Sequence, residues 1–174
     1  GILSITNTTI SNNQNNGNTT FGSHSKTIFL DNVQYINNDG ISHTVSDVYY
    51  NNVTFSGNDN FRITCEEGSG YKCNIEITNS IIWGNYYYAN PDAGTQIEGE
   101  YDDTEDLTDF YLHNSDVEGY PFGGPGMEGF GNLFMLNYPD DTNIDDPPGF
   151  TENNGNVYYL SENSPCIDAG TADL

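Results

Sequence analysis

A nine-residue pattern that recurs five times constrains the fold more than any other feature of this chain. In each copy an asparagine, here termed the anchor, follows an apolar residue by two positions and precedes another apolar residue by three. The copies are ITNTTISNN (5–13), LDNVQYINN (30–38), YNNVTFSGN (50–58), ITNSIIWGN (77–85) and LHNSDVEGY (112–120), with anchors Asn7, Asn32, Asn52, Asn79 and Asn114. Matches in several aligned columns are typical of an internal repeat.

The aligned columns suggest what each position of the repeat does. The apolar columns hold Ile5, Leu30, Tyr50, Ile77 and Leu112 before the anchor, and Ile10, Tyr35, Phe55, Ile82 and Val117 after it. Five positions after each anchor stands an asparagine or glycine: Asn12, Asn37, Gly57, Gly84 and Gly119. Residues two apart in a strand face the same side, so we expect the apolar columns to share a core and the anchors to point inward at a bend. Stacked anchors would then hydrogen-bond to one another as an asparagine ladder.

The unequal spacing of the anchors selects among repeat architectures. Neighbouring anchors are 25, 20, 27 and 35 residues apart, which excludes helical arrays with a strict period. Strand-rich units of this length with insertions at their turns predict an all-β fold, a right-handed parallel β-helix of about five to seven coils with loop insertions. We expect one domain over residues 1–174, with repeat coils over 1–120 and a loop-rich insertion and terminal coils over 121–174.

Charge and composition limit the partners of the chain. Three basic residues stand against 26 acidic ones, for a formal net charge of -23. Such a surface repels phosphate backbones and anionic lipid, so nucleic-acid partners are excluded. No apolar run approaches the roughly 18 residues of a membrane helix, so no membrane insertion is expected. Aromatic residues make up 13% of the chain, far more than disordered segments carry, which indicates a folded domain.

The five repeat units, together with the tail NVYYLSENSPCIDAGT (156–171), resemble a known family. They are similar to the right-handed parallel β-helix repeat proteins secreted by Bacteroidetes-type bacteria, within the pectate-lyase-like superfamily. NIDDPPGF (143–150) resembles a diverged form of the element that precedes this tail, and the resemblance is weakest over 86–111 and 119–142. It implies an extracellular or cell-surface location, terminal coils at the tail and a longer parent chain, of which this sequence is a fragment. It implies no single activity, because the fold hosts lyases, glycoside hydrolases, adhesins and passive stalks.

Calcium is the cofactor that the acidic segments suggest. Hard oxygen ligands lie close together between residues 98 and 109, and a second, weaker group follows between 140 and 146, as Ca²⁺ binding requires. The first group is Asp102, Asp103, Glu105, Asp106 and Asp109, and the second is Asp140, Asp141, Asp145 and Asp146.

Cysteines and tyrosines provide further candidates. Cys65 and Cys73 flank a polar, glycine-containing loop and would close a local disulfide, with two free thiols as the alternative. Cys166 has apolar and small neighbours, which favours a buried core thiol. A group of tyrosines offers a surface on which sugar rings could stack: Tyr86, Tyr87, Tyr88 and Tyr101.

Catalytic patterns are weak in this sequence. Arg62 has the strand-like context expected of a lyase base, but no second basic residue is near it in sequence. The carboxylates of residues 98–109 could serve a hydrolase, although seven uncompensated charges favour a solvated loop or a cation site. The histidines share no metal-ligand spacing, and alternation places His113 toward solvent; they are His24, His43 and His113.

The sequence therefore predicts a non-catalytic structural or interaction module of a secreted surface protein, such as an adhesin, a stalk or a fibre subunit. The chain opens within a repeat unit, so an open strand edge is expected there, and head-to-tail self-association would cover it. The alternative is a polysaccharide-processing enzyme, a lyase or glycoside hydrolase, or a carbohydrate-binding β-helix.

Overall fold

The protein is all-β throughout the residues that its computed structural model describes, which are 1–14, 21–45, 47–65, 74–85, 98–100, 109–118, 142–153 and 157–170. These ranges contain strands and no helix, and so no helix long and apolar enough to cross a membrane. The strands are β1 (Ile2–Ser11), β2 (Phe21–His24), β3 (Thr27–Ile36), β4 (Asp39–Val45), β5 (Asp47–Ser56), β6 (Asp59–Cys65), β7 (Asn74–Thr78), β8 (Ile81–Trp83), β9 (Glu98–Glu100), β10 (Asp109–His113), β11 (Asp116–Val117), β12 (Phe150–Asn153) and β13 (Val157–Leu160).

Most strands belong to two parallel sheets between which the chain alternates. The first sheet has the order β1-β3-β5-β7-β10, with β8 paired to β5 and β11 paired to β8. The second sheet has the order β2-β4-β6-β9, and every pairing within both sheets is parallel. Successive visits to each sheet add the next strand along it. This arrangement is compatible with a parallel β-helix.

The register of the first sheet follows the sequence repeat position for position. Ile5 pairs with Leu30, which pairs with Tyr50, and the same column continues through Ile77 to Leu112. The column after the anchors is aligned in the same way: Ile10, Tyr35, Phe55, Ile82 and Val117. Because the two apolar columns are in register, each repeat unit stacks its core side chains on those of the next.

The anchor asparagines form a bend in the chain, as predicted, but they do not point inward. All five have positive φ angles of 49° to 53°, the left-handed region that asparagine tolerates better than other residues with a side chain. Asn7, Asn32 and Asn52 are exposed, whereas Asn79 and Asn114 are half-buried. The expectation of inward anchors was wrong because a left-handed residue interrupts the two-residue alternation, so that the following residue faces the core instead.

Residues on both sides of the bend fill a continuous core. Leu30, Val33 and Tyr35, which stand two before, one after and three after their anchor, are all fully buried. The rings of Tyr35 and Phe55 stack at a centroid distance of 5.1 Å, so neighbouring units interlock through aromatic contact. At the β1 edge Leu3, Ile5 and Ile10 are only partly buried against this core.

A second turn closes each unit five positions after the anchor, as predicted. Asn12, Asn37, Gly57 and Gly84 all have positive φ angles, between 51° and 67°. Gly119 lies outside the described residues. The next position, the last of the nine-residue pattern, holds an asparagine whose side chain is buried in the later units: Asn38, Asn58 and Asn85. This buried asparagine column was not predicted from the sequence.

The buried asparagine column forms a side-chain ladder along the described repeat units. Asn58 Oδ1 accepts hydrogen bonds from the backbone N–H and the side-chain amide of Asn38, both at 3.1 Å. Asn58 Nδ2 donates to the carbonyl oxygen of Tyr35 at 2.8 Å. Asn38 and Asn85 repeat these contacts one unit to either side. Each amide therefore satisfies turn backbone that the core would otherwise leave unpaired.

The two strands described after residue 141, β12 and β13, do not join either parallel sheet. β12 pairs only with β13, and this pair is antiparallel. Ile144 forms an isolated parallel bridge to Asp116, which stacks Thr142–Ile144 onto the unit before it. The described residues of this segment thus contain one parallel bridge and one antiparallel pair, and the terminal coils that the family resemblance implies remain a prediction.

Candidate binding cleft

β13 and the segment that follows it pack against the repeat units. Gln34 Nε2 donates to the carbonyl oxygen of Tyr158 at 3.1 Å, and the Tyr158 hydroxyl donates to Asn37 Oδ1 at 3.4 Å. Buried Ser164 donates from Oγ to the carbonyl oxygen of Pro148 at 2.6 Å, which fixes the turn that follows. Residues 157–170, here called the tail strap, are thereby held beside the repeat units.

A cleft of about 470 Å³ opens between the tail strap and the bends. Most of its lining residues carry an amide, hydroxyl, thiol or carboxyl group, although apolar atoms make up the larger part of its wall. The lining residues are Asn51, Asn52, Thr54, Asn79, Ser80, Ile81, Asn114, Asp116, Leu160, Cys166, Asp168, Ala169 and Gly170. A volume in this range is typical of small-ligand sites, roughly 300–1,000 Å³.

Three anchor side chains form a row of hydrogen-bonded amides that reaches the cleft at Asn52. Asn32 Nδ2 donates to Asn7 Oδ1 at 2.7 Å, and Asn52 Nδ2 donates to Asn32 Oδ1 at 3.2 Å. Asn79 breaks the row because its Nδ2 turns to Asn51 Oδ1 at 3.2 Å instead. Asn52 Oδ1 therefore has no donor from the next unit, and the break lies where the cleft opens.

Asp116 is the buried carboxyl of the cleft, with only 3% of its surface exposed. Its Oδ2 accepts a hydrogen bond from the Cys166 thiol at 2.9 Å, and its Oδ1 accepts one from the backbone N–H of Asp146 at 3.2 Å. Burial raises the pKa of Asp116 to about 6, opposed by these hydrogen bonds and helped by the charges of Asp145 and Asp146. This carboxyl can therefore change its charge near neutral pH.

Cys166 is a thiol and not a reactive thiolate. Burial, together with the hydrogen-bonded Asp116 carboxylate, raises the pKa of Cys166 to about 12. The side chain is half-buried at the cleft wall, so the expectation of a core thiol was wrong. The thiol is not in the core because the tail strap packs outside the two sheets. There Cys166 donates a hydrogen bond to the Asp116 carboxylate.

The strap end contributes a second carboxylate and a close backbone contact. Asp168 is exposed and has a positive φ of 59°, a conformation that asparagine and aspartate tolerate. A Cβ added at Gly170 would lie 3.1 Å from Asn79 Oδ1, so the strap backbone approaches the amide row closely. Sequence analysis singled out neither residue, since only the fold brings positions 168–170 beside 52–116.

Several predicted sites fall outside the described residues. These are the Cys65–Cys73 disulfide, because Cys73 is not described, the tyrosines Tyr86, Tyr87, Tyr88 and Tyr101, and the acidic residues Asp102, Asp103, Glu105, Asp106, Asp140 and Asp141. Asp109 begins β10, but its side chain is not described; Asp145 and Asp146 are exposed. Among the described side chains no three His, Cys, Asp or Glu residues are grouped so as to hold a metal ion, and calcium remains a prediction.

The remaining candidate residues have different surroundings. Arg62 lies in β6 between Ser42 and Glu98 in backbone register, and its side chain, like that of His24, is not described. His43 is fully buried, and its Nδ1 lies 2.6 Å from the Tyr50 hydroxyl. His113 is half-exposed and stacks on Tyr111 with ring centroids 6.3 Å apart.

No family model matches the chain, and neither does any curated protein or solved structure.

Proposed function

We propose that the chain is a right-handed parallel β-helix that serves as a non-catalytic structural or interaction module of a secreted cell-surface protein. The alternation between two parallel sheets supports the fold, because each pass from β1 through β2 to β3 advances by one strand. Repeat units that touch only their neighbours make quasi-one-dimensional scaffolds suited to stalks and adhesive surfaces.

One observation carries the structural role, namely the buried asparagine column. The amides of Asn38, Asn58 and Asn85 are bonded to each other and to turn backbone, at 2.8 to 3.1 Å. A second column runs along the positions after the anchors, where Ser80 Oγ accepts from Val53 N and Ser115 Oγ accepts from Ser80 N, both at 3.1 Å. These hydrogen-bonded interior groups make the stack of repeat units rigid along its axis, which a structural module requires.

The β1 edge suggests how such modules assemble. Its core-facing residues Leu3, Ile5 and Ile10 are partly buried, whereas the matching side chains of interior units are fully buried. Ile2 is 74% exposed. The edge has the same residue pattern as the interior interfaces, so a second copy that stacks head-to-tail would complete the burial of these residues.

Charge sets the condition for this stacking. Each copy carries a formal charge of -23, so two copies repel one another at low ionic strength. Salt screens that repulsion, with a Debye length of about 10 Å at 0.1 M and about 3 Å at 1 M. Association is therefore expected to strengthen as sodium chloride is raised.

Light scattering after size-exclusion chromatography, with negative-stain microscopy, tests the proposal at low and high salt. Ile5→Glu places a charge on the core side of the β1 edge, and Ser4→Glu places the same charge on the exposed side of the same strand. We expect salt-dependent oligomers for the wild type and for Ser4→Glu, but monomers for Ile5→Glu, with circular dichroism to confirm folding. A monomer at every salt concentration contradicts the stacking.

The enzymatic alternative needs a separate assay on the same protein. Release of reducing ends or of unsaturated uronide from a panel of neutral and acidic polysaccharides would establish a lyase or hydrolase and overturn the non-catalytic assignment. We expect no product.

A further inference from the structure

The cleft beside the amide row is rich in hydrogen-bond acceptors. Asn52 lines the cleft and uses its Nδ2 on Asn32, which leaves its Oδ1 without a donor from the next unit. Among the described contacts Asp168 makes no hydrogen bond, and an ionised carboxylate only accepts. A ligand that satisfies these groups has to supply donors.

The negative charge of the cleft and of the whole chain determines which kind of hydrogen-bond donor can bind. Asp116 and Asp168 both line the cleft, and the whole chain carries a formal charge of -23. Such a field favours a cation and disfavours an anion. A planar guanidinium offers five N–H donors and is weakly hydrated, so it suits a cleft lined by carboxylate and amide groups better than a compact ammonium does.

Apolar side chains in the cleft match the remainder of such a ligand. Ile81, Leu160 and Ala169 are half-buried and line the same cleft. The methylene stem of an arginine side chain packs on apolar surface while its charged end is hydrogen-bonded. The volume of about 470 Å³ accommodates the stem together with the guanidinium.

We propose that the cleft between the tail strap and the amide row binds a guanidinium group, with Asn52 Oδ1 and Asp168 as its acceptors and Leu160 and Ile81 against its apolar stem. The proposal is independent of stacking, because the cleft lies on the anchor bends and the stacking edge is β1. Monomeric protein is therefore suitable for the test.

Calorimetric titration with a blocked arginine, N-acetyl-arginine methylamide, measures this binding directly. The matched probe is the blocked citrulline, which has the same shape and no charge. We expect the arginine probe to bind at least about tenfold more tightly, and to weaken as salt is raised. Equal affinity for the two probes, or no binding of either at millimolar concentration, overturns the proposal.

Two pairs of variants locate the site. Asp168→Asn and Glu162→Gln remove the same charge, but Glu162 is exposed and does not line the cleft. Asn52→Gly and Asn7→Gly both remove an anchor amide at a left-handed position that glycine adopts freely, and only Asn52 lines the cleft. We expect Asp168→Asn and Asn52→Gly to weaken binding at least about fivefold, and their partners less than about twofold.

Equal losses within both pairs would overturn the assignment of these acceptors. If Asn52→Gly fails to fold, the comparison of Asp168→Asn with Glu162→Gln still tests whether Asp168 is an acceptor for the guanidinium. Agmatine and a blocked Gly-Arg-Gly peptide then distinguish the source of the guanidinium. Tighter binding of the peptide assigns a chain-borne arginine, and equal or tighter binding of agmatine assigns a small free cation.

Discussion

The backbone N–H of Asn38 donates to Asn58 Oδ1 at 3.1 Å, across a boundary between two repeat units. Both side chains are almost completely buried, at 1% and 0% exposure. The two residues are 20 positions apart in the chain, so this bond joins segments that sequence proximity does not hold together. A buried amide at this position therefore replaces water as the partner of the turn backbone.

Asn58→Ala is expected to destabilise the fold by at least about 3 kcal/mol, because it strands the Asn38 N–H and the Tyr35 carbonyl in the core. Asn32→Gly, which removes an exposed amide at a left-handed position, should cost about 1 kcal/mol or less. Urea unfolding of both variants measures the difference. Similar losses would contradict the view that the buried column, and not the exposed row, stabilises the stack.

Much of the first sheet was predictable from sequence because the same residue types recur at the same distances from each anchor. That repeat aligned Leu30 with Tyr50 and Tyr35 with Phe55, and the observed register agrees. The two-residue alternation of strand faces failed at the anchors, since a left-handed residue such as Asn32 resets it. The rule also assigned no role to the ninth position of the pattern, although four of the five copies place an asparagine there.

The cleft could not have been predicted in the same way. Its acceptors, Asn52 and Asp168, are more than a hundred residues apart and come together only through the packing of the tail strap. The break in the amide row at Asn79 depends on which neighbouring oxygen its amide reaches. The aligned sequence columns predict which residue type stands at each position and which face of the strand it occupies. They do not predict which of two neighbouring oxygen atoms a side-chain amide will bind.

Gly57 and Gly84 occupy the same turn position in successive units, and alanine should affect them unequally. Both have positive φ angles, so Ala costs about 1 kcal/mol at either through backbone strain. At Gly57 the added Cβ would also collide with Asn37 Oδ1, whereas at Gly84 the nearest atom is 3.9 Å away. We expect Gly57→Ala to be the more destabilising by at least about 1 kcal/mol in urea unfolding. Equal effects would show that the Asn37 side chain moves aside freely.

His43 should make the fold sensitive to acid. Burial lowers the pKa of His43 from 6.5 to about 4, so the unfolded chain binds the proton more readily between these values. The neutral side chain thus contributes stability above pH 6.5 that is lost as the pH falls toward 4, by about 3 kcal/mol in total. The difference in unfolding free energy between wild type and His43→Gln, measured by urea at each pH, isolates this contribution. A difference that does not vary with pH would contradict it.

Protonation of Asp116 should stabilise the fold, whereas protonation of His43 destabilises it, and the two effects fall in a similar pH range. Burial raises the pKa of Asp116 from 3.8 to about 6, so the folded state holds its proton more tightly than the unfolded state. Its contribution to stability is fully present below about pH 4 and is lost as the pH rises through 6. Asp116→Asn cannot ionise, so its stability relative to wild type should increase from pH 4 to pH 7.

A second variant tests the cause of the raised pKa. Asp146→Asn removes one repelling charge but keeps the backbone N–H that donates to Asp116, so it should lower the pKa of Asp116 in a carbon-13 NMR titration. A carboxyl that titrates near 4 in both proteins would contradict the burial of this group beside the tail strap.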